Sequence, residues 1–135
     1  MSRTAYVMIV DDDEEFAGAV AVALRQEGHE VAVRTDTAAA LTMMRNHPPD
    51  LVILDVMFPE DDFAGFELAR AMRQCGSLKR IPILMLTGVN DKLLLNFTTL
   101  DLDDSWLPVS DFLDKPVDVD QLASKAKALL QPVVS

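Results

Sequence analysis

The chain has 135 residues, of which 50% are hydrophobic and 25% charged, which is typical of one globular domain with a hydrophobic core. Its formal net charge of −10 argues against direct binding to nucleic acid, because a polyanion would be repelled. No apolar run is long enough to span a membrane and the first residues do not resemble a signal peptide, so a cytoplasmic protein without membrane contact is expected.

The first part of the chain contains two predicted strand–helix units. The apolar run 5–10 predicts a buried strand, and residues 14–26 carry apolar side chains at helical spacing until Gly28. Alternating valines predict a second strand at 30–34, and residues 37–46 predict a helix that ends before two prolines. The order strand, helix, strand, helix is therefore established early in the chain.

The same alternation continues through the rest of the chain. Residues 51–56 predict a strand buried on both faces, residues 66–74 a helix, and residues 82–87 another fully apolar strand. The remaining predicted elements are a leucine-rich helix at 91–100, a short strand at 111–114 and an amphipathic helix at 119–130. Five strands and five helices result.

This alternation predicts a doubly wound α/β fold. Right-handed crossovers between successive strands produce a five-stranded parallel sheet with helices on both faces, which makes three layers, α/β/α. Ligands of such sheets bind beyond the carboxyl ends of the strands. The candidate functional residues are therefore those at or just after strand ends: Asp11, Asp12, Asp55, Thr87 and Lys115.

Three of these candidates are aspartates that should lie close together at the carboxyl end of the sheet. Asp13 and the two glutamates after it are accounted for as acids at the start of a helix, where they oppose the helix dipole. Asp11, Asp12 and Asp55 have no such explanation, and their mutual repulsion predicts a cation. Mg²⁺ suits them, with Asp12 and Asp55 as direct ligands and Asp11 acting through water.

The other two candidates are a hydroxyl and an ammonium group. Thr87 before a glycine, or Lys115 before a proline, is by itself more often a turn residue than a catalytic one. Together with three acids at the ends of neighbouring strands, they predict a site for the transfer of an anionic group.

At four places the sequence resembles the receiver domains of two-component response regulators, the CheY-like proteins. The matching motifs are Ile9-Val10-Asp11-Asp12-Asp13, Leu51-Val52-Ile53-Leu54-Asp55-Val56-Met57, Ile83-Leu84-Met85-Leu86-Thr87 and Phe112-Leu113-Asp114-Lys115-Pro116. The resemblance covers nearly the whole chain. It implies the flavodoxin-like strand order 2-1-3-4-5 and a single receiver domain over residues 1–135, with no output domain.

The resemblance also implies a function and a role for each residue. Asp55 would accept a phosphoryl group from a histidine kinase or histidine phosphotransfer protein, with Mg²⁺ held by the three aspartates and the backbone carbonyl of Met57. Lys115 would pair with a phosphate oxygen. Thr87 and Phe112 would form the switch that follows phosphorylation. Such a protein catalyses only its own phosphorylation and dephosphorylation.

The expected output is a change in the surface formed by the predicted helix 91–100 and the strand that carries Phe112. An unidentified downstream protein would read that surface, and the protein would be a monomer or a phosphorylation-dependent dimer. Segments 56–65 and 88–111 are longer than is usual in the family.

Three other functions are consistent with part of the sequence. A pseudo-receiver would use its surface alone, without phosphorylation. A haloacid-dehalogenase-like phosphatase agrees with the order of Asp11, Thr87 and Lys115, but Glu15 stands where that family has Thr or Val, and no acidic pair follows Lys115. A flavin site fits the fold, but the five carboxylates at 11–15 would repel a flavin phosphate.

Overall fold

A computed structural model of the protein describes residues 5–55, 64–87, 111–114 and 117–130; for Thr87, Asp111, Phe112 and Asp114 it describes the backbone only. The elements are β1 (Tyr6–Val10), α1 (Glu14–Gln26), β2 (Glu30–Arg34), α2 (Thr37–Asn46), β3 (Leu51–Asp55), α3 (Ala64–Gln74), β4 (Ile83–Thr87), β5 (Asp111–Asp114) and α4 (Val119–Leu130). Within the described helices, none is both long and apolar enough to cross a membrane.

The five strands form one parallel sheet in the order β2-β1-β3-β4-β5. This confirms the predicted doubly wound fold and its strand order. The central strand β3 is buried along its whole length, as its uninterrupted apolar sequence predicts. In the edge strand β2, valine alternates with other residues, and most of the strand is only half-buried.

Two hydrophobic clusters cover opposite faces of the sheet. Successive residues of a strand point to opposite faces, so Met8 and Val10 pack with α2 and α3, whereas Val7 and Ile9 pack with α1 and α4. Helices α1 and α4 contact each other on one face, as α2 and α3 do on the other. The packing is that of the predicted three-layer architecture.

The predicted element bounds differ slightly from those observed. Helix α3 begins at Ala64, two residues before the predicted start at Phe66, because Ala64 and Gly65 continue the helical path although neither adds a strong apolar signal. Strand β1 begins at Tyr6 rather than at residue 5, and β4 begins at Ile83, after the proline. The predicted helix 91–100 lies outside the described residues.

Candidate functional site

Strands β1 and β3 bring the predicted acidic residues to the same end of the sheet. The two strands are parallel neighbours, and Val10 pairs in register with Leu54. Asp11, which follows Val10, and Asp55, which follows Leu54, therefore leave adjacent strands at the same level. Local sequence explains each strand, but only their pairing places the two carboxylates side by side.

The carboxylates of Asp11, Asp12 and Asp55 form one cluster. Each contributes an oxygen, and these oxygens all lie within 4.8 Å of one another. Asp11 is 0% exposed and Asp55 is 3% exposed, whereas Asp12 is exposed to solvent. The site therefore has two buried acids at its base and a third at its rim.

Backbone hydrogen bonds hold Asp11 on both sides. Its amide N–H donates to the carbonyl oxygen of Arg34 at the end of β2, at 3.0 Å. Its carboxylate Oδ1 accepts from the amide N–H of Asp13, at 2.9 Å. The orientation of the Asp11 carboxylate is thus tied both to the edge strand and to the start of α1.

The donor set of this cluster fits a hard divalent cation. Three carboxylates in a small volume, two of them buried, repel one another strongly, and a divalent ion offsets that repulsion. Carboxylate oxygens are the protein ligands that Mg²⁺ prefers, and it normally keeps several waters or phosphate oxygens beside one or two carboxylates. The exposed side of the cluster, at Asp12, leaves room for those further ligands.

The other predicted site residues are described in part or not at all. Thr87 is the last residue of β4 and pairs in register with Asp114, and Phe112 of β5 pairs with Met85, so both belong to strands on the β4–β5 side of the sheet. Met57 and Lys115 lie outside the described residues. The predicted roles of these four residues therefore stay predictions.

Sequence reasoning missed the way in which Asp13 and Arg34 hold the site. The sequence predicts Asp13 only as an acid that favours a helix start. Its second contact is with Asp11, whose carboxylate accepts from the amide two residues further along the chain. Aspartate favours this local turn, so the residue type of Asp11 is the signal that could have found the contact. The carbonyl of Arg34, by contrast, is brought to Asp11 by strand pairing, for which residue type gives no signature.

Comparison with known proteins identifies the family. The profile of the family described as "Response regulator receiver domain" matches residues 7–127. The chain belongs to this family. Receiver domains are signalling proteins and not enzymes in the usual sense; they accept a phosphoryl group in a reaction that uses Mg²⁺, and they interact with histidine kinases or phosphotransfer proteins.

Curated relatives support the same assignment over most of the chain. The transcriptional regulatory protein AfsQ1 of Streptomyces coelicolor is 31% identical over 125 residues, which are 93% of this chain and 51% of that protein. The DNA-binding response regulator MtrA of Mycobacterium leprae is 33% identical over the same length, again 93% of this chain and 51% of that protein. The chain thus spans about half the length of the curated relatives it matches.

Solved structures show the same fold. The chemotaxis response regulator CheY4 of Vibrio cholerae matches with a TM-score of 0.79 at 27% identity, covering 95% of this chain and 100% of that one. The receiver domain of NtrX from Brucella abortus matches with a TM-score of 0.76 at 25% identity, covering 92% and 97%. The receiver domain can therefore be compared along nearly its full length with known examples.

Proposed function

We propose that this receiver domain accepts a phosphoryl group on Asp55 in a reaction that depends on Mg²⁺ bound at Asp11, Asp12 and Asp55. One observation carries the proposal: a nearly buried aspartate at the end of the central strand lies in a cluster of three carboxylate oxygens within 4.8 Å. A structural role for such a cluster is hard to justify, since burying like charges together is unfavourable without a cation.

The proposed step is the transfer of a phosphoryl group from a donor to the carboxylate of Asp55. A carboxylate oxygen of Asp55 forms a bond to phosphorus while the bond from phosphorus to the imidazole nitrogen of a phosphohistidine breaks. The electron pair of the broken bond stays on the imidazole, and the product is an acyl phosphate. With a small donor such as acetyl phosphate, a phosphorus–oxygen bond breaks instead and acetate leaves.

The protein's own residues would bind and orient the reactants. Bound Mg²⁺ would neutralise the carboxylates and the phosphoryl oxygens, so that a nucleophilic anion can approach an anionic donor. Asp12 and Asp55 are the proposed direct ligands, with Asp11 acting through water. The remaining proposed roles follow those of the family: the Met57 carbonyl as a metal ligand, Lys115 as the partner of a phosphate oxygen, and Thr87 with Phe112 as the switch.

The proposed partners are a histidine kinase or phosphotransfer protein as donor, and a protein that reads the surface formed by segment 91–100 and β5. MtrA is named as a DNA-binding response regulator, and its length is about twice the part that this chain matches. The charge of −10 on these 135 residues gives no support for direct DNA contact by the receiver itself. The proposed output is therefore a change in protein–protein contact.

The proposal is tested by phosphorylation with a small donor. Incubation with acetyl phosphate or phosphoramidate and Mg²⁺ should add one phosphoryl group, detected by intact mass spectrometry. Asp55→Asn should abolish the addition. Asp120→Asn, which changes an exposed aspartate on α4 in the same way, should leave it intact. Addition of EDTA should prevent phosphorylation of the wild-type protein.

Two results would contradict the proposal. No gain of mass in the wild-type protein would mean that the domain is not a phosphoacceptor under these conditions and would favour the pseudo-receiver. An equal gain of mass in Asp55→Asn would place the phosphoryl group on another residue.

A further inference from the structure

Asp13 makes three hydrogen bonds at the start of α1. Its carboxylate Oδ1 accepts from the amide N–H of Phe16 at 3.1 Å, which makes it the N-cap of the helix. Its carbonyl oxygen accepts from the amide N–H of Ala17 at 2.9 Å. Its own amide N–H donates to Oδ1 of Asp11 at 2.9 Å. One exposed residue therefore joins the first turn of a helix to a buried acid of the site.

The bond to Asp11 determines how that carboxylate can be presented. A donor on one oxygen restrains the rotation of a carboxylate, and with it the direction of the other oxygen. The backbone of Asp11 is held independently, because its amide donates to the carbonyl of Arg34 at 3.0 Å. The side-chain orientation of Asp11 thus depends on where the amide of Asp13 lies, and the cap holds that amide in place.

We infer that Asp13 is a positioning residue for the metal site: by capping α1 it holds its amide against Asp11 and so preorganises the carboxylate cluster for a divalent cation. The inference rests on the proposed metal site and adds a residue that does not itself touch the metal. Without the cap, the first turn of α1 loses a partner for its amides and the Asp11 carboxylate gains rotational freedom. Metal binding must then restore that order, which lowers the affinity.

The chain contains a matched control for this role. Asp36 is also an exposed aspartate at a helix N-cap, with its Oδ1 accepting from the amide of Ala38 at 2.9 Å at the start of α2. It follows β2, so it lies at the same end of the sheet as the site, but it is not a member of the carboxylate cluster. Removing it costs one cap and one negative charge, as removing Asp13 does.

The experiment compares Mg²⁺ affinity, by isothermal titration calorimetry, in the wild-type protein and in Asp13→Ala, Asp13→Asn and Asp36→Ala. Asp13→Ala should weaken Mg²⁺ binding by about 10-fold or more, the usual effect of losing a residue that orients a metal ligand. Asp13→Asn keeps a capping oxygen but not the charge, and should recover most of the affinity. Asp36→Ala should stay within about 2-fold of the wild type, since its cap supports no ligand.

A second measurement does not require the metal. In metal-free protein, the amide of residue 13 should exchange its hydrogen with solvent slowly in the wild type and in Asp13→Asn, and faster in Asp13→Ala. Asp36→Ala should leave the exchange rate of the residue 13 amide unchanged, although the melting temperature of this variant should fall as that of Asp13→Ala does. If Asp13 were only a helix cap, Asp13→Ala would likewise lower the melting temperature without changing that exchange rate.

Failure of the proposed metal site and failure of the positioning role give different results. If the wild-type protein does not bind Mg²⁺, the metal site fails and the proposed function with it. If the wild type binds but Asp13→Ala binds equally well, only the positioning role is wrong. If Asp13→Asn binds as weakly as Asp13→Ala, the charge of Asp13 and not its cap is responsible, and the inference is overturned.

Discussion

Single residues in this domain have chemical properties that depend on their immediate contacts more than on their type. Three consecutive aspartates follow β1, yet Asp11 is buried, Asp12 is exposed and Asp13 caps a helix. The identical side chains differ because the backbone bends between the strand and the helix, which places each of them in different surroundings. Residue type alone therefore does not determine which of the three aspartates is buried in the carboxylate cluster.

Cys75, which directly follows α3, allows a prediction on pH dependence. Hydrogen bonds hold the pKa of its thiol below the ordinary value. The side chain of Ser77 makes the largest contribution, the backbone of Ser77 the next, and Arg45 also contributes. The sulfur and the Ser77 hydroxyl oxygen are 3.5 Å apart. A lowered pKa means that the thiolate forms at a lower pH than in an ordinary cysteine, so alkylation by iodoacetamide should rise with pH at a lower midpoint.

Ser77→Ala should move that alkylation midpoint to higher pH, because the largest contribution to the lowered pKa is lost. Ser124→Ala, at an exposed serine of α4, is the control and should not change it. The measurement is the alkylation rate as a function of pH, followed by mass spectrometry. A midpoint unchanged by Ser77→Ala would show that the serine does not stabilise the thiolate.

At the scale of elements, specific hydrogen bonds mark the beginning and the end of helix α1. Helix α1 begins at the Asp13 cap, and its last turn closes with the amide of Gly28 donating to the carbonyl of Arg25 at 3.0 Å. Gly28 has a φ of +94°, the one positive value among the described residues. The chain then reverses into β2, which places Arg34 beside Asp11.

Substitution by alanine should have opposite effects on stability at Gly18 and Gly28. Gly28→Ala forces a side chain into positive φ and should lower the free energy of unfolding by about 1–2 kcal/mol. Gly18→Ala, inside α1, meets no atom within 4 Å of the added Cβ, so it should raise that free energy by up to about 1 kcal/mol, since alanine favours the helix. Urea unfolding measures both. A loss of stability in Gly18→Ala, or none in Gly28→Ala, would contradict this account.

At the scale of the whole molecule, the carboxylate cluster at the carboxyl end of the sheet adds to a negative net charge. The cluster of Asp11, Asp12 and Asp55 lies in a chain of net charge −10, so both local and long-range electrostatics favour binding of a divalent cation there. A ligand that binds only the folded state stabilises that state by mass action. Binding of Mg²⁺ should therefore be visible in global stability.

The expected result is a Mg²⁺-dependent rise in melting temperature. At a concentration about 100 times its dissociation constant, Mg²⁺ should add about 2.7 kcal/mol of stability, which corresponds to a rise of several degrees for a domain of this size. Asp55→Asn should lose most of this rise and Asp120→Asn should keep it. The comparison is made by differential scanning calorimetry against NaCl at equal ionic strength. A rise of equal size in all three proteins would indicate a general salt effect.

Much of the fold follows from the sequence because its signals are local. The uninterrupted apolar run of β3 and the spacing of apolar residues in α1 identify a central strand and an amphipathic helix without knowledge of the partners. Strict alternation of the two then leaves few topologies, because crossovers are right-handed. The acids at the ends of β1 and β3 are therefore predicted to lie at the carboxyl end of the sheet from the sequence alone, and the family resemblance implies the strand order.

The tertiary structure alone decided which carboxylates are buried and what holds them. Burial of Asp11 and exposure of Asp12 depend on how the turn after β1 is packed. The carbonyl of Arg34 reaches the amide of Asp11 only because β2 pairs with β1. This contact joins backbone atoms that nearly all residues have across distant segments, so its position follows from the assembled sheet and not from any pattern in the chain.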